Sequence, residues 1–531
     1  MAQRSMGAGA ASARWAAAAA GAALVAAAVV PGPAVAAATQ AGPLEWGECS
    51  GLTAAEGAPM RCARLTVPLD RGPGAGGRTV ELAISRVTAR AERTGVLVVN
   101  PGGPGSPGRV WASRTAAALP ADLRDHYDVV AFDPRGTGTS TPAVSCDPAY
   151  FRAPRPDTVP GGPGESARLV ERAADYAAAC ADSTGALLGH MTTADSAADV
   201  DALRAALGAD RIDYLGYSYG SLLGAVYATR YPERVRRLVL DSVVHPGRPW
   251  YRSNLRQSRS LDAAAQNFFA WTARHDSAYG LGGTARETSA AYYTARRRLA
   301  EHPAQGTVGA TELENAYITA AYTSAAWPEL ARALADYRRG DTAGLVEVHG
   351  KYGQSTGTDP TYGAYLATQC TDSRWPGDPR TWLEDGAAAH AEAPFQSWNN
   401  IWYNMPCAFW PAQSRTWFEV GAAGVDALLL QAEHDGPTPA EGAFAMRERF
   451  PGSRLVIEEQ GRSHGVALGG NPCIDGAVAD YLRDGSLPAA GGGPARADLT
   501  CPAAPPPEPE PPPRNGPDPR EPQAGPRPST L

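Results

Sequence analysis

The stretch YLGYSYGSLLG, Tyr214 to Gly224, restricts what this chain can fold into more than any other. It sets Ser218 between Gly216 and Gly220, just after the apolar run RIDYL and just before SLLGAVYATRYPERV. The first run reads as a buried strand and the second as a helix. A serine that ends a strand and opens a helix sits in a tight, strained turn. The flanking glycines are then required, because side chains there would strike the neighbouring strand and helix. The five-residue pattern by itself also arises by chance in a chain with 58 glycines. Its place between strand and helix gives it meaning.

The surroundings repeat that alternation. VELAISRV, GVLVVN, YDVVAFD and RRLVLDSVV are further short apolar runs. TTADSAADVDALRAALG, Thr192 to Gly208, carries a capping threonine, early acids and apolar residues at helical spacing. Strand, helix and strand in succession imply a mostly parallel sheet with helices on both faces. The pattern fills residues 39–245 and returns in 416–501, with DALLLQAEHD (Asp426 to Asp435) and SRLVIEEQGRSHG (Ser453 to Gly465). Between them, residues 246–415 have a different texture. Nine of the twelve tryptophans lie between Trp250 and Trp417, and RETSAAYYTARRRLAEH and PELARALADYRRG read as helices. This segment is expected to be a mainly helical cap over the C-terminal edge of the sheet, with most of its tryptophans in a core.

A serine nucleophile needs a base and an acid that orients it, and after such a turn they follow in the order serine, acid, histidine. His464 in GRSHG is the one histidine beyond ALLLQAEHD, in a loop of small residues after the last strand-like run. Asp435 ends the preceding run and is followed by the turn GPTP. Glu433 should face the other side, because side chains alternate along a strand. Asp241, after RLVL, is a second candidate acid, one strand earlier. Acyl transfer also needs N–H donors for an oxyanion. NPGGPGSPG, Asn100 to Gly108, follows GVLVV, and the amides of Gly103 and Tyr219 are the expected donors. As a phosphate cradle this loop fails, since it lacks Gly-Lys-Ser/Thr and its prolines remove N–H groups. In FDPRGTGTS, Asp133 and Arg135 are expected to brace the loop through an ion pair.

The ends and the cysteines concern location. Arg4 and Arg14, the apolar run Trp15 to Val30 and the small residues from Ala34 to Ala38 read as an export signal over 1–38. The run is too short and alanine-rich to favour a membrane anchor. Eight cysteines after that signal suggest four disulfides; about 105 pairings are open, and joining neighbours, Cys49–Cys62, Cys146–Cys180, Cys370–Cys407 and Cys473–Cys501, is the favoured one. Residues 502–531 include thirteen prolines and are expected to form an extended, disordered tail that reads as a spacer toward the cell wall or as a solubilising end. A net charge of −7 without a dense Lys/Arg cluster gives no support for nucleic-acid binding. No Cys-x-x-Cys occurs, and neither metal nor cofactor is implied.

NPGGPGSPG, FDPRGTGTS, GYSYGS, DGPTP and GRSHG, in this order after an export signal, resemble the secreted tripeptidyl aminopeptidase branch of the prolyl-iminopeptidase-like α/β-hydrolases. The resemblance spans roughly residues 44–501. It implies an α/β-hydrolase fold with a helical cap bearing specificity, and a serine exopeptidase acting on peptides with free N-termini. Asn100 stands where single-residue prolyl iminopeptidases have histidine, and the acid turn has glycine where many relatives have proline. Ser218, Asp435 and His464 are then the expected triad. An exopeptidase must receive an ammonium group, which is costly to bury without a carboxylate. Asp372, between Cys370 and Trp375, is the expected acceptor, with Glu384, Asp385 and Glu392 in reserve; capping of the next turn is the plainer role for Asp372. An esterase or lipase on the same fold, or an inactive cell-wall binding module, are the competing readings.

Overall fold

The computed structural model describes residues 44–509 apart from 74, 415, 416, 492 and 494. The export signal over 1–38 and the tail beyond 509 lie outside the described residues.

Nine strands of the described residues form one sheet: β1 (Arg61–Pro68), β2 (Thr79–Val87), β3 (Gly95–Asn100), β4 (Tyr127–Phe132), β5 (Ile212–Tyr217), β6 (Val235–Asp241), β7 (Ala427–Ala432), β8 (Arg454–Glu459) and β9 (Leu499–Pro502). Their spatial order is β1-β2-β4-β3-β5-β6-β7-β8-β9. β1 and β2 pair antiparallel with each other, β2 pairs antiparallel with β4, and all other pairs are parallel. The chain is an α/β-hydrolase fold.

The strand sequences explain why both faces are covered. Val96 and Val98 pack into one core while Leu97 and Val99 pack into the other. Leu429 and Leu430 divide in the same way. Successive side chains point to opposite faces, so an unbroken apolar run suits a strand covered on both sides. The helix Thr193–Ala206 starts at Thr192, whose hydroxyl accepts from the Asp195 amide in a reciprocal capping box. Helix Tyr219–Arg230 packs beside it.

Between β6 and β7 the chain is helical from Trp250–Arg274 to Ser397–Asn404. These helices enclose a separate aromatic core in which Phe268, Phe269, Trp271, Tyr292, Trp327 and Phe395 are all buried. The earlier segment 151–158 joins them: Arg155 pairs with Glu312 at 2.9 Å, and the Trp402 indole donates to Thr158 O at 2.6 Å.

All four bridges join neighbours in sequence: Cys49–Cys62, Cys146–Cys180, Cys370–Cys407 and Cys473–Cys501. The last ties helix Pro472–Asp484 to the edge strand β9. The proline-rich stretch starts as an attached strap, not as a free tail. Ala503 N donates to Glu459 O at 3.0 Å, and the Trp271 indole donates to Pro507 O at 3.0 Å. Among the described residues no helix is long and apolar enough to cross a membrane.

Candidate active site

Parallel register brings several strand ends to one edge. Asn100 pairs with Gly216, Tyr217 with Asp241, and Asp241 with Leu430. The chain leaves β5 through Ser218, whose φ of 56° and ψ of −124° are strained for a residue with a side chain, at a cost of roughly 1–3 kcal/mol. The amide of Ser218 donates to Asp241 O at 2.9 Å, and its carbonyl accepts from Ser221 Oγ at 2.6 Å. A Cβ on Gly216 would lie 2.2 Å from Gly220 O, and one on Gly220 would lie 2.5 Å from Asn100 O. Both glycines are there because backbone occupies the space.

The loop after β3 rests on this turn. Gly102 has φ +98°, and a Cβ there would meet Tyr217 O at 2.4 Å and Ser218 Cβ at 2.9 Å. Gly103 and Tyr219 both line the cavity next to Ser218. The expected Asp133–Arg135 pair is not formed. Asp133 instead accepts from the Gly108 and Arg109 amides at 2.8 and 3.1 Å and pairs with Arg109 at 3.2 Å, anchoring the end of the loop. The longer Arg135 side chain is buried and grips Asp199 through Nε and Nη2, both at 2.7 Å, because a fork of donors fits a carboxylate.

His464 and Asp435 meet: Nδ1 lies 3.0 Å from each carboxylate oxygen. Thr438 holds the same carboxylate, its amide donating to Oδ1 and its hydroxyl to Oδ2, each at 2.9 Å. The pairing leaves Nε2 as the ring nitrogen not turned to the acid. Burial lowers the basicity of His464, but the Asp435 charge and hydrogen bond more than reverse this, so its pKa lies above 6.5. Glu433 turns away from the site and accepts from Gln460 N at 2.7 Å.

Two supports of His464 have no clear sequence signal. From the helical segment, Tyr322 O accepts from His464 N at 2.7 Å, and its ring stands edge-on to the imidazole with centroids 5.4 Å apart. From β6, Asp241 Oδ2 accepts from the Val466 and Ala467 amides, both at 2.7 Å, while Ser242 Oγ accepts from Gly465 N at 2.7 Å. Asp241, weighed in sequence as a second acid, therefore carries the loop that follows His464. Its removal should displace the imidazole without removing it. Asp241→Ala is expected to lower kcat by roughly tenfold to a hundredfold with little change in KM, the usual effect of a small misplacement. Steady-state kinetics on a chromogenic substrate would check this.

Asp372 does not reach the cavity wall. It is 2 % exposed and spends its oxygens on Thr193 N (2.7 Å), Thr193 Oγ1 (2.6 Å) and Trp250 Nε1 (3.1 Å). Thr193 Oγ1 lies 2.9 Å from Tyr219 OH, so Asp372 stands behind two cavity residues, Trp250 and Tyr219. Burial pushes its carboxyl up to about 7. The folded state thus keeps a proton that the unfolded chain releases near 4, and stability should fall as pH rises from about 4 to 7. The slope is about 1.4 kcal/mol per pH unit while that proton is fully held. Asp372→Asn should flatten this part of a stability–pH curve measured by denaturant titration. An unchanged slope would show that Asp372 does not titrate there.

The cavity has a volume of about 350 Å³ and lies between the sheet edge and the helical segment. Amides dominate its polar wall, among them Asn254, Gln257, Asn315, Gln369, Asn399 and Asn400. Several are held in place: Asn254 Nδ2 donates to Gln369 Oε1 at 3.1 Å, and Asn400 Nδ2 to Asn254 O at 2.7 Å. Glu441 is the one carboxylate among the described lining residues, shared between Arg248 (2.7 Å) and Arg256 (3.1 Å). Glu384, Asp385 and Glu392 are absent from that wall; Asp385 accepts from Tyr251 OH, and Glu392 pairs with Arg259.

Residues 95–317 match the family described as alpha/beta hydrolase fold, and residues 393–501 match the TAP-like protein family. A tripeptidyl aminopeptidase of Streptomyces coelicolor is 38 % identical over 482 residues, covering 88 % of this chain and 87 % of the relative. The chain belongs to the tripeptidyl aminopeptidase family of α/β-hydrolases. The chain is a serine hydrolase of the peptidase type on this fold. The serine protease Hip1 of Mycobacterium tuberculosis is 31 % identical over 85 % of this chain and 90 % of its own length. A carboxylesterase B of the same organism is 32 % identical over 83 % and 88 %. A solved proline iminopeptidase from Mycobacterium smegmatis gives a TM-score of 0.32 at 17 % identity, over 80 % of this chain and 98 % of that one.

Proposed function

We propose that the protein is an exported serine aminopeptidase that releases short peptides from free N-termini. The contact of His464 Nδ1 with both oxygens of Asp435 carries the reading, together with the strained turn that sets Ser218 on the same cavity wall as Thr438 and Tyr322, which both touch His464. In this reading His464 Nε2 takes the Ser218 proton as Oγ attacks the scissile carbonyl. Asp435 holds the tautomer and stabilises the imidazolium. The oxyanion is met by the amides of Gly103 and Tyr219. His464 then returns the proton to the leaving amine, and water, deprotonated by the same imidazole, hydrolyses the acyl-enzyme.

A wall rich in amides favours a peptide, whose backbone offers donors and acceptors in alternation. The relative named carboxylesterase B keeps an esterase reading in view. Four disulfides fit an oxidising compartment, and the proline-rich tail is a candidate spacer toward the cell wall. Mass spectrometry of the products from a mixed peptide library tests the function. Release of two- or three-residue N-terminal fragments supports it; hydrolysis of short acyl esters alone overturns it. Failure of Ser218 to react with a fluorophosphonate would favour a binding module.

A further inference from the structure

Three residues of the cavity wall, Gln354, Asn399 and Tyr403, also line a smaller recess of about 50 Å³. That space suits one carboxylate group or one to two waters. Tyr150, Phe151 and Tyr362 give it aromatic walls. Two donors of its lining residues are shielded from solvent and have no partner among the described residues: Arg155 Nη2 and Asn399 Nδ2. The Arg155 side chain is only 8 % exposed, and its other groups are occupied, Nε by Glu312 at 2.9 Å and Nη1 by Gln354 Oε1 at 2.8 Å.

A buried N–H without an acceptor is costly, so two of them on residues that line one recess call for a ligand that accepts. The charges narrow its class. Arg172 also lines the recess, stacked 3.9 Å over Tyr150, so two guanidiniums face one balancing carboxylate, Glu312. Glu314, behind Thr158, is matched by Arg296. An ammonium would be repelled there. A carboxylate would gain two charge-assisted or amide hydrogen bonds in a setting that excludes water. We propose that the recess is a specificity subsite for an acidic side chain of the bound peptide, received by Arg155 Nη2 and Asn399 Nδ2. The inference rests on the peptidase reading above.

Fluorogenic peptides that differ only in carrying Glu, Gln or Leu at one of their first three positions would test it. At one position glutamate should exceed leucine in kcat/KM by tenfold or more, with glutamine between them. Arg155→Met would strand the buried Glu312, so the better variant is Asn399→Asp, which places a second carboxylate where an unpartnered amide stood. It should lower the Glu-over-Leu ratio at least tenfold. No glutamate preference at any position, or an equal fall for both substrates in the variant, would overturn the subsite and leave the recess to ordered water. If Ser218 reacts with a fluorophosphonate but no peptide is cleaved, the peptidase reading fails first and the subsite with it.

Discussion

Ser218→Ala and His464→Ala are each expected to reduce turnover by roughly 10⁴- to 10⁶-fold, with Asp435→Ala costing somewhat less. The ordering follows from the roles proposed above. Without the serine no acyl-enzyme forms, and without the imidazole the hydroxyl keeps its proton. Without Asp435 the ring remains but loses its tautomer and the charge that stabilises the imidazolium. Thr438, which now donates twice to Asp435, holds the turn but cannot supply that charge. The pH profile offers an independent check. Only neutral His464 can take a proton, and its partner raises its pKa, so kcat/KM should fall as pH drops through a value above 6.5. Asp435→Asn should move that limb to lower pH. Near-normal activity in Asp435→Ala, with complete loss in Asp241→Ala, would reassign the acid to β6.

Acetylating the substrate N-terminus is expected to cost a hundredfold or more in kcat/KM. Burying an ammonium is tolerable only where a carboxylate meets it, and breaking such a pair costs about 3 kcal/mol or more. We propose as that carboxylate Glu441, the one acid among the described lining residues, with the ammonium displacing the half-exposed Arg256 guanidinium that now shares its charge with Arg248. Glu441→Gln should therefore shrink the ratio of free to acetylated substrate to below tenfold. Asp372→Asn should leave that ratio alone, because Asp372 serves Thr193 and Trp250 behind the wall. Equal rates on free and acetylated peptides would end the exopeptidase reading and favour an esterase or an endopeptidase.

The sequence by itself determined what depends on local order along the chain. Apolar runs of strand length alternating with capped helices specified a parallel sheet, since both faces of each run must be buried. The spacing around Ser218 specified the turn: Gly216 is demanded by the backbone of Gly220 four residues on, while Gly220 is demanded by Asn100 on the neighbouring strand. The chain order serine, acid, histidine placed Asp435 and His464 at the ends of β7 and β8. The eight cysteines pointed to four bridges, but which of about 105 pairings forms was a choice that the sequence left open and the fold made, neighbour to neighbour.

What only the tertiary structure decided involves side chains that cross between distant elements. Asp372 and Trp375 share a local sequence that suggests a rigid ligand wall, yet packing turns the carboxylate toward Thr193, 179 positions earlier. Arg135 passes over nearby Asp133 for Asp199, because a long guanidinium follows the geometry of its burial and not proximity in sequence. Tyr322 reaches His464 through a backbone carbonyl, a contact to which its residue type gives no clue. Arg155, Gln354 and Asn399 come from three separate segments, and no spacing along the chain relates them. Local propensity acts over a few residues, whereas the wall of this cavity is set by how the helical segment settles on the sheet.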